Sequence, residues 1–195
     1  MPEETITIRQ NNAFAMQSGL ILGLWSIVAV GAMLYGVRYV WPGSLGEIMG
    51  ISSPFVAAML TIRFRQTVCA PGQAFTFGTA YLHVLLMGIY AGLWLALAVY
   101  VYFAYLDGGQ FYTACLELFN RPEMADAVRE IERSPNFTQL SGDAGVNSLA
   151  DMLGAFQSLP PAAHAGSIIS LTFFTAPIIS LVIALFTCRR TMHIH

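Results

Sequence analysis

The stretch 66–106 contains no Asp, Glu, Lys or Arg, and its one group that titrates near neutral pH is His83. An ionisable side chain in so apolar a setting is a candidate proton relay or metal ligand. Either task needs a second group. The apolar stretches offer no Asp and no second His at that depth, and Glu47 belongs to the opposite interface. The sequence therefore assigns His83 the role of a neutral imidazole that hydrogen-bonds one helix to another. Other reactive residues are no better paired. Cys69, Cys115 and Cys188 form an odd set without CxxC spacing, which indicates neither a zinc site nor a disulfide framework. His193 and His195 stand two apart on the tail, which is weak metal spacing, and Glu130 and Glu132 fall on opposite faces of a helix. There is no GxSxG, HExxH, P-loop or GxGxxG. All nine basic residues are Arg, so no lysine nucleophile or Schiff base exists. No catalytic residue, cofactor or metal ligand is expected, and the chain reads as a non-enzyme.

The elements that hold these residues are set by a hydrophobic fraction of 56% and a charged fraction of 10% over 195 residues. Ordinary soluble domains carry about a quarter charged residues. Apolar runs over 13–37, 44–62, 74–106 and 165–187 are each long enough to cross a hydrocarbon layer about 30 Å thick. The fold predicted is an all-α membrane protein, one integral domain over 1–195, with four transmembrane helices as two tandem hairpins. Amphipathic helices are expected in an exported loop, 107–164, between spans three and four. The net charge of −2 leaves no basic face for nucleic acid.

Placing both termini in the cytoplasm puts Arg9, Arg63, Arg65, Arg189 and Arg190 on one side and leaves Arg38 in the short loop opposite, as the positive-inside rule favours. Glu3 and Glu4 precede a first apolar run with no small-residue cleavage site after it, so that run is expected to remain as a span. Tyr35, Tyr39 and Trp41, with Tyr100, Tyr102 and Tyr105, sit where an interfacial aromatic belt belongs.

Arg38 and Glu47 face one interface across a tight hairpin, where they either pair or each reach separately to water. Ala15, Gly19 and Gly23, and likewise Gly88 and Gly92, recur every four residues and form faces on which helices pack closely. Pro54 after Ser52 and Ser53, and Pro177 after Thr175, fall mid-span in the second and fourth segments. Matching interruptions suggest two repeated hairpins, and in transporters such positions mark substrate sites; proline is also simply well tolerated in membrane helices.

In the loop, 110–133 has helical spacing broken at Pro122, and Glu130 can pair with Arg133. The segment 134–145 is expected as a loop and 147–159 as a helix capped by Asn147. Asn136-Phe137-Thr138 matches a glycosylation acceptor, meaningless in a bacterial source.

Taken in order, AFAMQSGLILG (13–23), GQAFTFGTA (72–80) leading into the third span, the acidic amphipathic loop, and PIISLVIALFTCRR (177–190) resemble the small bacterial membrane proteins of domain-of-unknown-function family 4199. The likeness covers about 9–190. Where that family often has Lys, this chain has Thr79, Arg189 and Arg190, which keeps charge at the tail and loses it before the third span. The resemblance implies four helices in a bacterial inner membrane and carries over no catalytic residues. The function expected is an accessory or assembly subunit that presents its acidic outer helices to another envelope protein. The alternatives are a small oligomeric transporter or channel-like protein using Pro54, Pro177 and His83, and an accessory to envelope glycolipid synthesis. The bilayer, an envelope protein and further copies of the chain are the partners considered.

Overall fold

The computed structural model describes residues 6–69, 74–135, 137–139 and 146–189. Glu3, Glu4, Gly72, Gln73, Asn136, Arg190, His193 and His195, invoked above, lie outside them, as does 140–145 of the expected loop. The described chain is helical throughout apart from turns and one isolated backbone bridge. Helix α1 spans Ile8–Gly36, α2 Val40–Val68 and α3 Phe77–Val101, the last continued by a π-helical turn, Tyr102–Leu106. Outside the spans follow α4 (Gln110–Phe119), a 3-10 turn (Pro122–Met124), α5 (Ala125–Arg133) and α6 (Leu149–Gln157). Helix α7, Pro161–Thr187, is the last span. Four of these helices are long and apolar enough to cross a membrane.

The helices outrun their apolar stretches. At 29 residues, α1 is about 44 Å long, so its first turns, from Arg9 to Asn12, lie beyond the hydrocarbon or bring polar groups to its edge. Thr7 starts it, its hydroxyl accepting from Gln10 N at 3.2 Å.

In space the spans form a curved row, α2 on α1, α1 on α3, α3 on α7, while α2 meets α3 and α7 only sparingly. The two predicted hairpins are thus joined through α1 and α3. The reason is the small residues. A β-carbon added to Gly19 would stand 2.5 Å from Tyr90 Cβ and 2.9 Å from the Met87 carbonyl oxygen, and one at Gly92 would overlap Thr172. Gly19 and Gly23 thus seat α1 on α3, and Gly88 and Gly92 seat α3 on α7. With lipid as apolar as the side chains, close backbone approach is what holds such helices together.

The end that carries Arg63 and Arg65 is closed. Phe64 of α2 stacks on His83 of α3 at 4.0 Å and lies 5.3 Å from Phe14 of α1 and 5.9 Å from Phe75. Phe75 and Arg189 exchange both backbone hydrogen bonds, at 3.0 and 2.9 Å, tying the approach to α3 to the end of α7. Arg65 donates to the Thr187 carbonyl at 2.8 Å, satisfying one of the last carbonyls of α7 with a cation at its negative end.

At the other end, Asp107, Gly108 and Gly109 turn the chain sharply out of α3. Both glycines have positive φ, and the Asp107 carboxylate accepts from Gly109 N and Phe111 N at 3.0 and 2.9 Å, capping α4. Helix α4 packs against α6, and the Glu132 carboxylate of α5 accepts from Leu149 N at 2.9 Å. Three local expectations are corrected. Ser148, not Asn147, caps α6, accepting from Asp151 N at 3.1 Å. Arg129 pairs with Asp126 at 3.1 Å, and the Glu130–Arg133 pair, at the same three-residue spacing, is not formed. Pro135 and 137–139 are helical rather than loop, with the Ser134 hydroxyl accepting from Phe137 N.

Candidate functional site

Half-way along the bundle, where the row of spans leaves α2 apart from α7, lies a cavity of about 250 Å³ to which all four spans contribute. Its polar groups are the hydroxyls of Ser26 on α1, Ser53 on α2, and Thr172, Thr175 and Ser180 on α7. Each donates to a carbonyl four residues back in its own helix, at 2.6–3.1 Å. Their donors are therefore spent and their lone pairs remain, so the walls can accept hydrogen bonds but hardly offer them. No lining residue is charged. Pro54 and Ile179 both line the cavity and are exposed, which places its mouth between α2 and α7, facing lipid.

Pro54 carries no N–H, and beside it the Met49 carbonyl accepts from the Ser52 and Ser53 hydroxyls and from the Trp25 indole of α1, at 2.9, 3.1 and 3.0 Å. Trp25 thus braces α2 at its proline turn. Pro177 lies outside the cavity lining, although its neighbours Ala176 and Ser180 belong to it. The two prolines are not equivalent, since one forms the wall and the other stands behind it.

His83 is fully buried away from this cavity. Its Nδ1 lies 2.9 Å from Asn11 Oδ1, and Asn11 Nδ2 donates to the Thr79 carbonyl at 3.2 Å. With the amide so oriented, Oδ1 can only accept, so the imidazole proton resides on Nδ1 and Nε2 is a bare acceptor. That Nε2 has no hydrogen-bond partner among the described residues. The helix-to-helix bond anticipated for His83 is present, made by a residue ahead of the apolar run. Asn11 was nonetheless visible in outline, because it stands one four-residue step before Ala15, Gly19 and Gly23 on the same face.

At the loop end the Tyr112 hydroxyl lies 3.2 Å from His164 Nε2 and 3.4 Å from the Phe156 carbonyl, and His164 rests on Phe103 at 4.5 Å. Burial, and behind it the Asp107 charge, raises the Tyr112 phenol and the Cys115 thiol above their ordinary values. The Tyr112 phenol, kept protonated, fastens α4 to α6 and to the start of α7. Arg38 and Glu47 are both exposed and form no ion pair with each other; of their two foreseen arrangements, the structure shows the separate one. Among the described residues no cluster of three His, Cys, Asp or Glu side chains gathers for a metal.

The order of these elements, from the small-residue face of α1 to the last turns of α7, matches a family model over residues 17–189, that of "Protein of unknown function (DUF4199)". The chain belongs to this family. No curated protein and no solved structure matches it. The segment 74–80, singled out by resemblance, is structural here. Phe75 is buried at the closed end, and the Thr76 hydroxyl caps α3, accepting from Thr79 N at 3.2 Å.

Proposed function

We propose that this DUF4199 protein is a non-enzymatic bacterial inner-membrane protein, with both termini cytoplasmic, that takes an uncharged and largely apolar molecule from the bilayer into the cavity between its spans, as a small carrier. The observation that carries this reading is the convergence of five hydroxyls from three spans on one cavity with a lipid-facing mouth. Polar groups meeting at mid-membrane are what separates a carrier from an inert bundle. Because the hydroxyl donors are already engaged, the ligand that fits supplies the donor itself, through a hydroxyl or amide on an apolar body. A charged ligand would meet no counter-charge there. The orientation rests on Arg9, Arg63, Arg65 and Arg189 at one end against Arg38 at the other.

A second reading, the accessory subunit, is favoured by the outer helices. Asp126 is almost wholly exposed, and Ile131 and Phe156 on the loop helices remain 48% and 47% exposed. Purification of the tagged protein in mild detergent, with particle size and mass spectrometry of everything retained, decides between the two. A particle of this chain alone, holding an apolar small molecule that the Ser53→Leu and Thr175→Leu variants lose, supports the carrier. A stoichiometric envelope protein that disappears when 110–159 is removed supports the accessory reading. A particle with neither overturns both.

A further inference from the structure

Away from the central cavity, the outer halves of α1 and α3 part above Gly23. An apolar groove of about 380 Å³ opens between Ile27, Gly31 and Leu34 on one side and Trp94, Leu97 and Val101 on the other. It is continuous with a second recess of about 190 Å³, because Gly31, Leu34 and Tyr102 line both. The recess adds the polar groups Tyr35, Arg38 and Gln110. Arg38 is the one charged residue lining either space. It is exposed, and its guanidinium neither forms an ion pair with nor donates a hydrogen bond to any described residue. Asp107 is buried and does not line the recess, and its carboxylate is spent on the start of α4 and on the Tyr102 hydroxyl.

We infer that this crevice binds one anionic phospholipid of the loop-side leaflet, with an acyl chain in the groove and the phosphate on Arg38. The dimensions agree. From Ile27 to Arg38 the helix rises about 16 Å at 1.5 Å per residue, half of a hydrocarbon layer about 30 Å thick and so the depth of one leaflet. Arg38 sits just past the end of the span, where phosphates lie. Tyr35 and Gln110 can complete the donors around a phosphate that the guanidinium holds through paired N–H groups, the Tyr102 hydroxyl being engaged by Asp107. No carboxylate lines the recess to receive an ammonium, so a lipid such as phosphatidylglycerol is preferred over phosphatidylethanolamine. The π-turn at Tyr102–Leu106 shapes the upper wall, and Gly31 leaves the groove open, since a β-carbon there would meet nothing within 4 Å.

The test is native mass spectrometry of the full chain released from nanodiscs of equal phosphatidylglycerol and phosphatidylethanolamine. The wild type is expected to retain one phosphatidylglycerol per chain. Arg38→Gln should weaken that retention about tenfold, as loss of a charged hydrogen bond does, and Arg38→Lys should recover part of it. Gly31→Phe should expel the lipid, while Gly31→Ala, which only adds a methyl in open space, confirms that the position tolerates a side chain. Equal retention of the two lipids by the wild type, or retention unchanged in Arg38→Gln, would mean a non-selective annular lipid and overturn the assignment. Displacement of the lipid by millimolar inorganic phosphate would assign Arg38 to a soluble anion and overturn it equally.

Discussion

The two ends of this bundle are built on opposite principles. At the arginine-rich end, four elements meet in contact: Phe14, Phe64, Phe75 and His83 fill the centre, Asn11 is bonded to two groups, and Arg65 and Arg189 lock the end of α7. From the middle outwards α1 still packs closely on α2, through Gly36, Gly43 and Gly46, but α1 parts from α3 and α2 from α7, leaving the central cavity, the α1–α3 groove and the recess at Arg38. The halves differ in which pairs of helices meet through small residues and in where interhelical bonds are made. A membrane protein gains nothing from hiding apolar surface from lipid, so openness costs little once one end is fixed. One end is a closed base and the other keeps open crevices between its helices.

The sharpest way to break that contrast is the same kind of substitution in each half. Gly19→Ala puts a β-carbon 2.5 Å from Tyr90 Cβ and 2.9 Å from the Met87 carbonyl oxygen and should destabilise the protein by about 2 to 3 kcal/mol, the upper part of the overpacking range. Gly31→Ala should be neutral or stabilising by up to about 1 kcal/mol, the helix-propensity difference. Thermal melting in mild detergent measures both, and equal losses would show that the halves do not differ. Next in size is Asn11→Ala, which strands the Nδ1 proton of buried His83 and removes the bond from Asn11 to the Thr79 carbonyl. A cost of about 1 to 2 kcal/mol is expected, between the penalty of a buried unpaired donor and the smaller worth of bonds between membrane helices. Arg65→Gln should cost about 1 kcal/mol by freeing the last carbonyls of α7. A loss for Arg65→Gln exceeding that for Asn11→Ala would move the centre of the base from the aromatic cluster to the α2–α7 lock.

The sequence makes the number of spans, the loop helices and the packing role of Gly19, Gly23, Gly88 and Gly92 legible, because apolar length and small-residue spacing report directly on solvent and on close approach. Its gaps have a common cause. A span that is apolar all round does not declare which face turns inward. Ser26 and Ser180 therefore look no different from lipid-facing serines until α2 is seen to stand away from α7. Trp25, which braces Pro54, was likewise masked by the rule that tryptophans sit at interfaces. Asn11 could have been found by stepping the glycine face back one turn, and the Asp-Gly-Gly sequence at 107–109 announces the turn that aims α4 at Tyr102 and Arg38. Pro54 and Pro177 illustrate the reverse. Their matching sequence positions suggested matching roles, and the arc of helices gives them different ones.

The smallest expected effect concerns the fastening that holds the open end in shape. Tyr112 keeps its proton in the fold more tightly than in the unfolded chain, since burial first and Asp107 second raise its phenol. A group whose folded value is raised contributes stability that is complete below its unfolded value, near pH 10, and is lost as pH climbs through the folded one. Melting of the wild type should therefore decline above about pH 10 more steeply than that of Tyr112→Phe, which lacks the ionisable hydroxyl and its contacts to His164 and Phe156. Cys115→Ala separates the contribution of the neighbouring thiol, which is shifted in the same direction. If the fastening matters only for the open end, alkali should also release the lipid held at Arg38 while the mutual accessibility of Cys69 and Cys188, at the closed end, stays unchanged. Parallel loss at both ends would mean that base and open half unfold as one unit, and the contrast between them would be one of shape alone.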